Sequence, residues 1–232
     1  MAAEITLLSA GAVKPGLVKV VDVFQRATEH AVNLAFATAP AIAKRIGAGE
    51  IVDVVVAPPA VLDEIAALGK VLQAPVVIGR IGVGALVRDG APLPKIATVE
   101  AFRQSLLDAE SLVYNQASTG IYIEALFDRL GIGAELRVKS TRYADFAAVL
   151  EHVGKGTGNE IGLGATTVII ESQNSGVKFA GPLPEAIQNY TTYAAAVTAA
   201  GEANEAAREF FRYLASATAK HLFTAAGIAG PE

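Results

Sequence analysis

Cysteine and tryptophan are absent from this chain of 232 residues, and methionine occurs once. Without thiols there is no disulfide, no thiolate nucleophile and no cysteine-ligated metal. The three histidines, His30, His152 and His221, lie far apart and lack ligand spacing. Each is read as a helix-surface residue, and no metal is expected. No apolar run approaches the roughly 18 residues that span a bilayer. The longest, such as Val54–Ala57 and Val76–Ile78, are strand-sized, so no membrane insertion is expected. Charge is sparse too: 18% of residues are charged, and the net charge of -4 is spread along the chain. With no basic block and no aromatic-basic interleaving, nucleic acid is excluded as a partner. No phosphate loop, G-x-G-x-x-G fingerprint, catalytic triad or metal motif occurs, so no cofactor is expected.

What is present is apolar. Hydrophobic residues make up 52% of the chain, largely alanine and valine, which suits buried parallel strands and close-packed helices. The length fits one large domain or two modest ones. Ile5–Leu8 reads as a strand, and a helix runs from Pro15 through Phe24 and Ala27. Strand Val32–Phe36 and a helix through Ile42 and Ile46 follow, then strand Asp53–Ala57 and a helix through Val61, Ile65 and Leu68. This alternation argues for a parallel sheet wrapped by helices. Val76–Arg88 is too long for one strand and reads as strand, crossover, strand, with Gly79, Gly82 and Gly84 permitting bends. Helices are predicted over Val99–Ala109, from Thr119 to Leu130, and over Phe146–Val153, Glu202–Leu214 and Ala217–Ala226. Strands are predicted over Ser111–Tyr114, Ile161–Ala165, Val177–Phe179 and Thr192–Val197. After Met1 the chain enters a strand pattern at once, with no signal peptide. Either the protein is cytoplasmic, or Met1 precedes a mature exported sequence, as Ala2-Ala3-Glu4 suggests.

Three segments share one design. Ser9-Ala10-Gly11-Ala12, Thr38-Ala39-Pro40 and Ser118-Thr119-Gly120 each follow a predicted strand and open a predicted helix. Helix starts present unpaired N–H groups and partial positive charge. Small residues admit an anion to the backbone, and hydroxyls add donors. In open α/β sheets, ligands gather at the carboxyl ends of the strands. The same residue types also serve as plain N-caps.

On these segments the chain resembles the periplasmic molybdate-binding proteins. The resemblance runs over nearly the whole chain: Ser9–Leu17, Phe36-Ala37-Thr38 leading to Ala43-Lys44-Arg45-Ile46 and Gly49, Asp53–Ala57, Ser118-Thr119-Gly120-Ile121-Tyr122, Asn159-Glu160-Ile161-Gly162-Leu163-Gly164, and Tyr193. It implies an α/β, two-lobed type II periplasmic binding fold, with mixed sheets flanked by helices and a hinged cleft. Lobe one is expected over 1–81 and 194–232, lobe two over 82–193, with Gly82–Gly84 and Tyr193–Ala196 absorbing the closure. The implied function is a solute-binding protein that closes on a small anion, an oxyanion or polycarboxylate, for an ABC-type transporter. Its partners would be that ligand and a transporter permease, and a periplasmic monomer is expected. The ligand-binding residues would be Ser9, Gly11, Ala12, Thr38, Ala39, Ser118, Thr119 and Tyr193.

The chain departs from that family where serine hydroxyls are expected: it carries Gly11-Ala12 and Thr38-Ala39-Pro40. Fewer donors suit a tetrahedral oxyanion poorly, so molybdate is not the expected ligand. A second resemblance, to aconitate isomerase, implies an enzyme on the same scaffold that shifts a proton across an allylic tricarboxylate. Such chemistry needs an acid and a base within reach of the substrate. Glu160 and Lys14 would be the catalytic pair, with Tyr193 a further candidate and Arg142 able to pair a carboxylate.

Overall fold

The computed structural model describes residues 2–71, 73–173 and 175–230; Met1, on which the reading of the chain's start turns, lies outside them. In chain order the first elements are β1 (Glu4–Ala10), α1 (Lys14–Thr28), β2 (Ala31–Ala37), α2 (Ala39–Gly47), β3 (Val54–Ala57), α3 (Pro59–Ala67) and β4 (Val76–Ile81). There follow β5 (Val83–Arg88), α4 (Val99–Asp108), β6 (Ser111–Asn115), α5 (Ser118–Arg129), α6 (Gly133–Arg137), β7 (Ser140–Tyr143), α7 (Phe146–Lys155), β8 (Glu160–Ala165), α8 (Thr166–Glu171) and β9 (Val177–Pro182). The chain ends with β10 (Thr191–Val197), α9 (Glu205–Leu214) and α10 (Ala217–Ala225). These form two compact units, Met1–Ile81 with Thr191–Glu232, and Gly82–Tyr190.

Unit 1 holds a five-stranded sheet in the order β2-β1-β3-β10-β4. β1 is parallel to β2 and β3, and β10 runs antiparallel to β3 and β4. Val54, Val55, Val56 and Ala57 are all fully buried, as a strand covered on both faces requires. Asp53 ties β1 to the approach of β3: its carboxylate accepts from the Thr6 N–H and hydroxyl, each at 2.7 Å. Phe24 of α1 meets Phe210 of α9 edge-on at 4.9 Å, and both rings are buried.

Unit 2 holds a second five-stranded sheet, β7-β6-β8-β5-β9, with β6, β7 and β8 parallel and β5 antiparallel to β8 and β9. One buried cluster joins Phe102 and Leu106 of α4 to Ile123, Leu126 and Phe127 of α5. A separate one joins Val149 and Val153 of α7 to Ile169 of α8.

Several readings of the sequence need correction. Tyr193–Ala196, expected to absorb the closure, lie buried inside β10, where Ala194 and Ala195 are paired with both β3 and β4, Tyr193 with β4 and Ala196 with β3. The units part at Tyr190–Thr191 instead. Elements α6, β7 and α8 were not foreseen. α6 has five residues, β7 is a polar edge strand, and the β-branched run of α8 lowers its helix propensity. His30 is not on a helix. It follows the left-handed residue Glu29 (φ 61) that ends α1, and its Nδ1 accepts from the Ala3 N–H at 3.1 Å.

Replacing Asp53 with Ala leaves the Thr6 N–H without its acceptor. The expected loss is about 1–3 kcal/mol, seen as a lower urea midpoint with an unchanged denaturant slope.

Candidate functional site

Six helices begin at the carboxyl end of a strand: α1, α2, α3, α5, α7 and α8. Five of them have no side-chain cap at their start and no acidic residue in their first turn. Only α7 is capped, by Asp145, which accepts from the Ala148 N–H at 3.0 Å. Of the other helices, α6 starts at Ile132 without a side-chain cap, whereas α4 and α9 are built differently. Thr98 caps α4 and Asn204 caps α9, and each has a glutamate in its first turn. An uncapped start leaves N–H groups and partial positive charge available to something else.

In unit 1 the carboxyl end carries Gly11 and Ala12 after β1, Thr38 and Ala39 after β2, and Tyr193 near the start of β10. A side chain built onto Gly11 would meet nothing within 4 Å, so the backbone there is open to a ligand. Thr38 is half-buried and makes no capping bond, whereas Ala39 is buried. Lys14, the exposed first residue of α1, holds its Nζ 5.7 Å above the Phe36 ring. A cation at a helix start opposes the dipole, and no acidic residue in that first turn offsets it. Tyr193 is 4% exposed; burial pushes its hydroxyl well above the usual range, so it stays a neutral donor. Ser9 is fully buried and donates to the Ala10 carbonyl at 3.2 Å.

In unit 2, α5 starts from Ala117, which has no capping side chain. Asn115 Oδ1 accepts from the Ala117 N–H at 3.2 Å and orders the turn. Ser118 and Thr119 follow as the first two helical residues. Thr119 is 8% exposed, and among the described residues nothing in the protein bonds its hydroxyl. Gly120 is obligatory, because a Cβ there would strike the Asn115 carbonyl.

Glu160 does not join this group. It is the first residue of β8 and pairs with Ser111, the first residue of β6. Ser118 and Thr119 lie beyond the last residue of β6, about 13 Å along the strand direction. The Glu160 carboxylate instead accepts from the Gly158 N–H at 3.1 Å. The glycines beside it serve packing: a Cβ at Gly162 would come within 2.6 Å of Leu86, and one at Gly164 would strike Phe146. Arg142 is likewise engaged, at 2.9 Å from Glu124. Sequence reasoning missed Asn115, which an Asx-type turn after a strand could have signalled. It also missed Phe36 as the seat of Lys14.

A family model described as bacterial extracellular solute-binding protein matches residues 5–229. The chain belongs to that family. Aconitate isomerase from Pseudomonas sp is 29% identical over 231 residues, covering 97% of this chain and 87% of that protein. The periplasmic molybdate-binding protein of Azotobacter vinelandii superposes with a TM-score of 0.82 at 16% identity, over 98% of this chain and 100% of that one. The sulfate-binding protein SubI of Mycobacterium tuberculosis H37Rv gives 0.79 at 16% identity, over 97% and 86%. These likenesses identify the type II periplasmic binding fold. Among the described residues no helix is long and apolar enough to cross a membrane.

Replacing Ala117 with Asp supplies α5 with the cap it lacks. The expected gain is about 1 kcal/mol, or roughly 2–4 °C in Tm for a chain of this size. The same carboxylate would compete for the N–H groups an anion needs, so the added stability should come with weaker anion binding in calorimetry.

Proposed function

We propose that the chain is a periplasmic binding protein that captures a small anion at the uncapped helix starts and delivers it to an ABC-type permease. The observation that carries this reading is the contrast in capping. Helix starts at the strands' carboxyl ends lack side-chain caps in five of six cases, while α4 and α9 at the opposite ends are capped by Thr98 and Asn204. In unit 1 Thr38 and the backbone at Gly11 are the proposed donors, with Lys14 supplying a full positive charge; in unit 2 the proposed donor is Thr119. Molybdate-, sulfate- and L-phospholactate-binding neighbours support an anion as the solute. Alanine at 12 and 39 and glycine at 11 offer a tetrahedral oxyanion few hydroxyls, which favours an organic carboxylate over molybdate.

A second reading, isomerisation of a tricarboxylate, is favoured by the 29% identity to the Pseudomonas aconitate isomerase. The place of Glu160 at the far end of β8 from the Thr119 turn does not support it as the base there. Lys14 remains a candidate proton carrier for that chemistry. The two readings separate on one assay: aconitate in deuterated buffer should show neither isomerisation nor deuterium uptake if the protein only binds. Turnover that is lost in Lys14→Met would establish the enzyme instead.

A thermal-shift screen of molybdate, sulfate, citrate, tricarballylate and aconitate should raise Tm for carboxylates and not for molybdate. Submicromolar molybdate binding would refute that preference. With a binding carboxylate in hand, Thr119→Val should weaken affinity by about ten- to a hundredfold, the value of a hydrogen bond to a charged oxygen. Unchanged affinity would reduce Thr119 to an ordinary helix residue.

A further inference from the structure

Gln188 follows the 3-10 turn Glu185–Ile187 that leads away from β9. Its half-buried amide supplies the acceptor for the Val83 N–H and shares the Val83 carbonyl with the Leu183 N–H, which donates to it at 3.0 Å. Oε1 accepts from the Val83 N–H at 2.8 Å, and Nε2 donates to the Val83 carbonyl at 3.0 Å. Oε1 also accepts from the Asn189 N–H at 2.9 Å. One side chain thus binds the first strand residue of unit 2 to the last residues before the chain leaves it. Gly82 fits beneath this bridge without slack, since a Cβ there would lie 3.2 Å from Tyr190 Cε1 and 3.4 Å from Gln188 Cδ. The Gly82 carbonyl accepts from the Thr166 N–H at 3.0 Å, which fixes the start of α8. Tyr122 adds a second tie, its hydroxyl donating to the Ile187 carbonyl at 2.6 Å. In unit 1 the corresponding residues are paired directly, Ile81 with Thr191, in the β4–β10 ladder.

We propose that Gln188 is a positioning residue, a clasp that joins the chain's entry into unit 2 to its exit. Backbone freedom between the units is then confined to two links, Ile81–Gly82 and Tyr190–Thr191. The amide is suited to this because it donates and accepts at once, as a peptide group does, and glutamate cannot. Only the effect on ligand capture rests on the solute-binding reading; the clasp itself is independent of it.

The test is amide hydrogen exchange on the full chain, comparing the unmodified protein with Gln188→Glu, Gln188→Ala and Gly82→Ala. Exchange at Val83 and Asn189 should quicken by about tenfold or more in Gln188→Ala, which removes their acceptor, and less in Gln188→Glu, which keeps an acceptor but loses the donor to the Val83 carbonyl. Leu112 and Val113, buried in the same sheet, should be unaffected. Gly82→Ala keeps the amide but crowds it, and should give the same local pattern more weakly. Unchanged exchange at Val83 and Asn189 in both Gln188 variants would overturn the proposal. So would a rise spread evenly over Val83, Asn189, Leu112 and Val113, which marks an ordinary stabilising residue. Calorimetry with citrate and with molybdate then reads the consequence for capture. A probe that binds the unmodified protein should bind Gln188→Glu at least about fivefold more weakly, with release faster than the loss of stability alone explains. Failure of every probe to bind the unmodified protein would count against the solute reading and leave the exchange result to judge the clasp.

Discussion

Parallel strands cannot be joined by a tight turn; each must be followed by a crossover, here a helix. Most of what is distinctive about this molecule follows from that constraint. Because β1, β2 and β3 run the same way, α1, α2 and α3 all begin at one end of the first sheet. β6, β7 and β8 impose the same order on α5, α7 and α8. Unpaired N–H groups and the positive ends of helix dipoles therefore gather at the carboxyl edges, without any cluster of lysine or arginine being needed.

That gathering has a cost. An uncapped start forgoes about 1 kcal/mol relative to one capped by serine, asparagine or aspartate. Where no ligand is expected, the chain uses such caps freely, as at Thr98, Asn204 and Ser216. Omitting them at five of the six carboxyl-edge starts, and placing Lys14 against the dipole of α1, makes sense if an anion completes those sites. Packing reinforces the arrangement: Gly120 lets α5 close onto the Asn115 carbonyl, so the first N–H groups of the helix sit directly over the strand end.

The same scaffold carries binding proteins and an enzyme, so fold alone does not decide between them. The decision lies with a few side chains. Glu160, which the sequence offers as a base, belongs to the amino edge and makes a local bond to Gly158. Lys14 is at the carboxyl edge, on the Phe36 ring. Binding asks only for donors and charge, the parts we propose for the Gly11 backbone, Thr38 and Lys14. Proton transfer would need a paired acid and base, and the residue named for the base is elsewhere.

The alternation of apolar strand and amphipathic helix, legible from Ile5 to Leu68, determined the sheet-and-helix architecture. The small residues after β1, β2 and β6 likewise marked the helix starts at the carboxyl edges, where we propose that a ligand sits. These are local signals, written in periodicity and in residues that stop or start helices. What lay beyond them depended on registers and directions no local pattern encodes. Whether Glu160 faces the site depends on which end of β8 leads, and that is settled by its parallel pairing with β6. How firmly Tyr193 and the alanines after it are held depends on β4 and β3 lying beside β10, and those strands are distant in sequence. The role of Gln188 is of the same kind: its partner Val83 is 105 residues away, and only the closed sheet brings the two together.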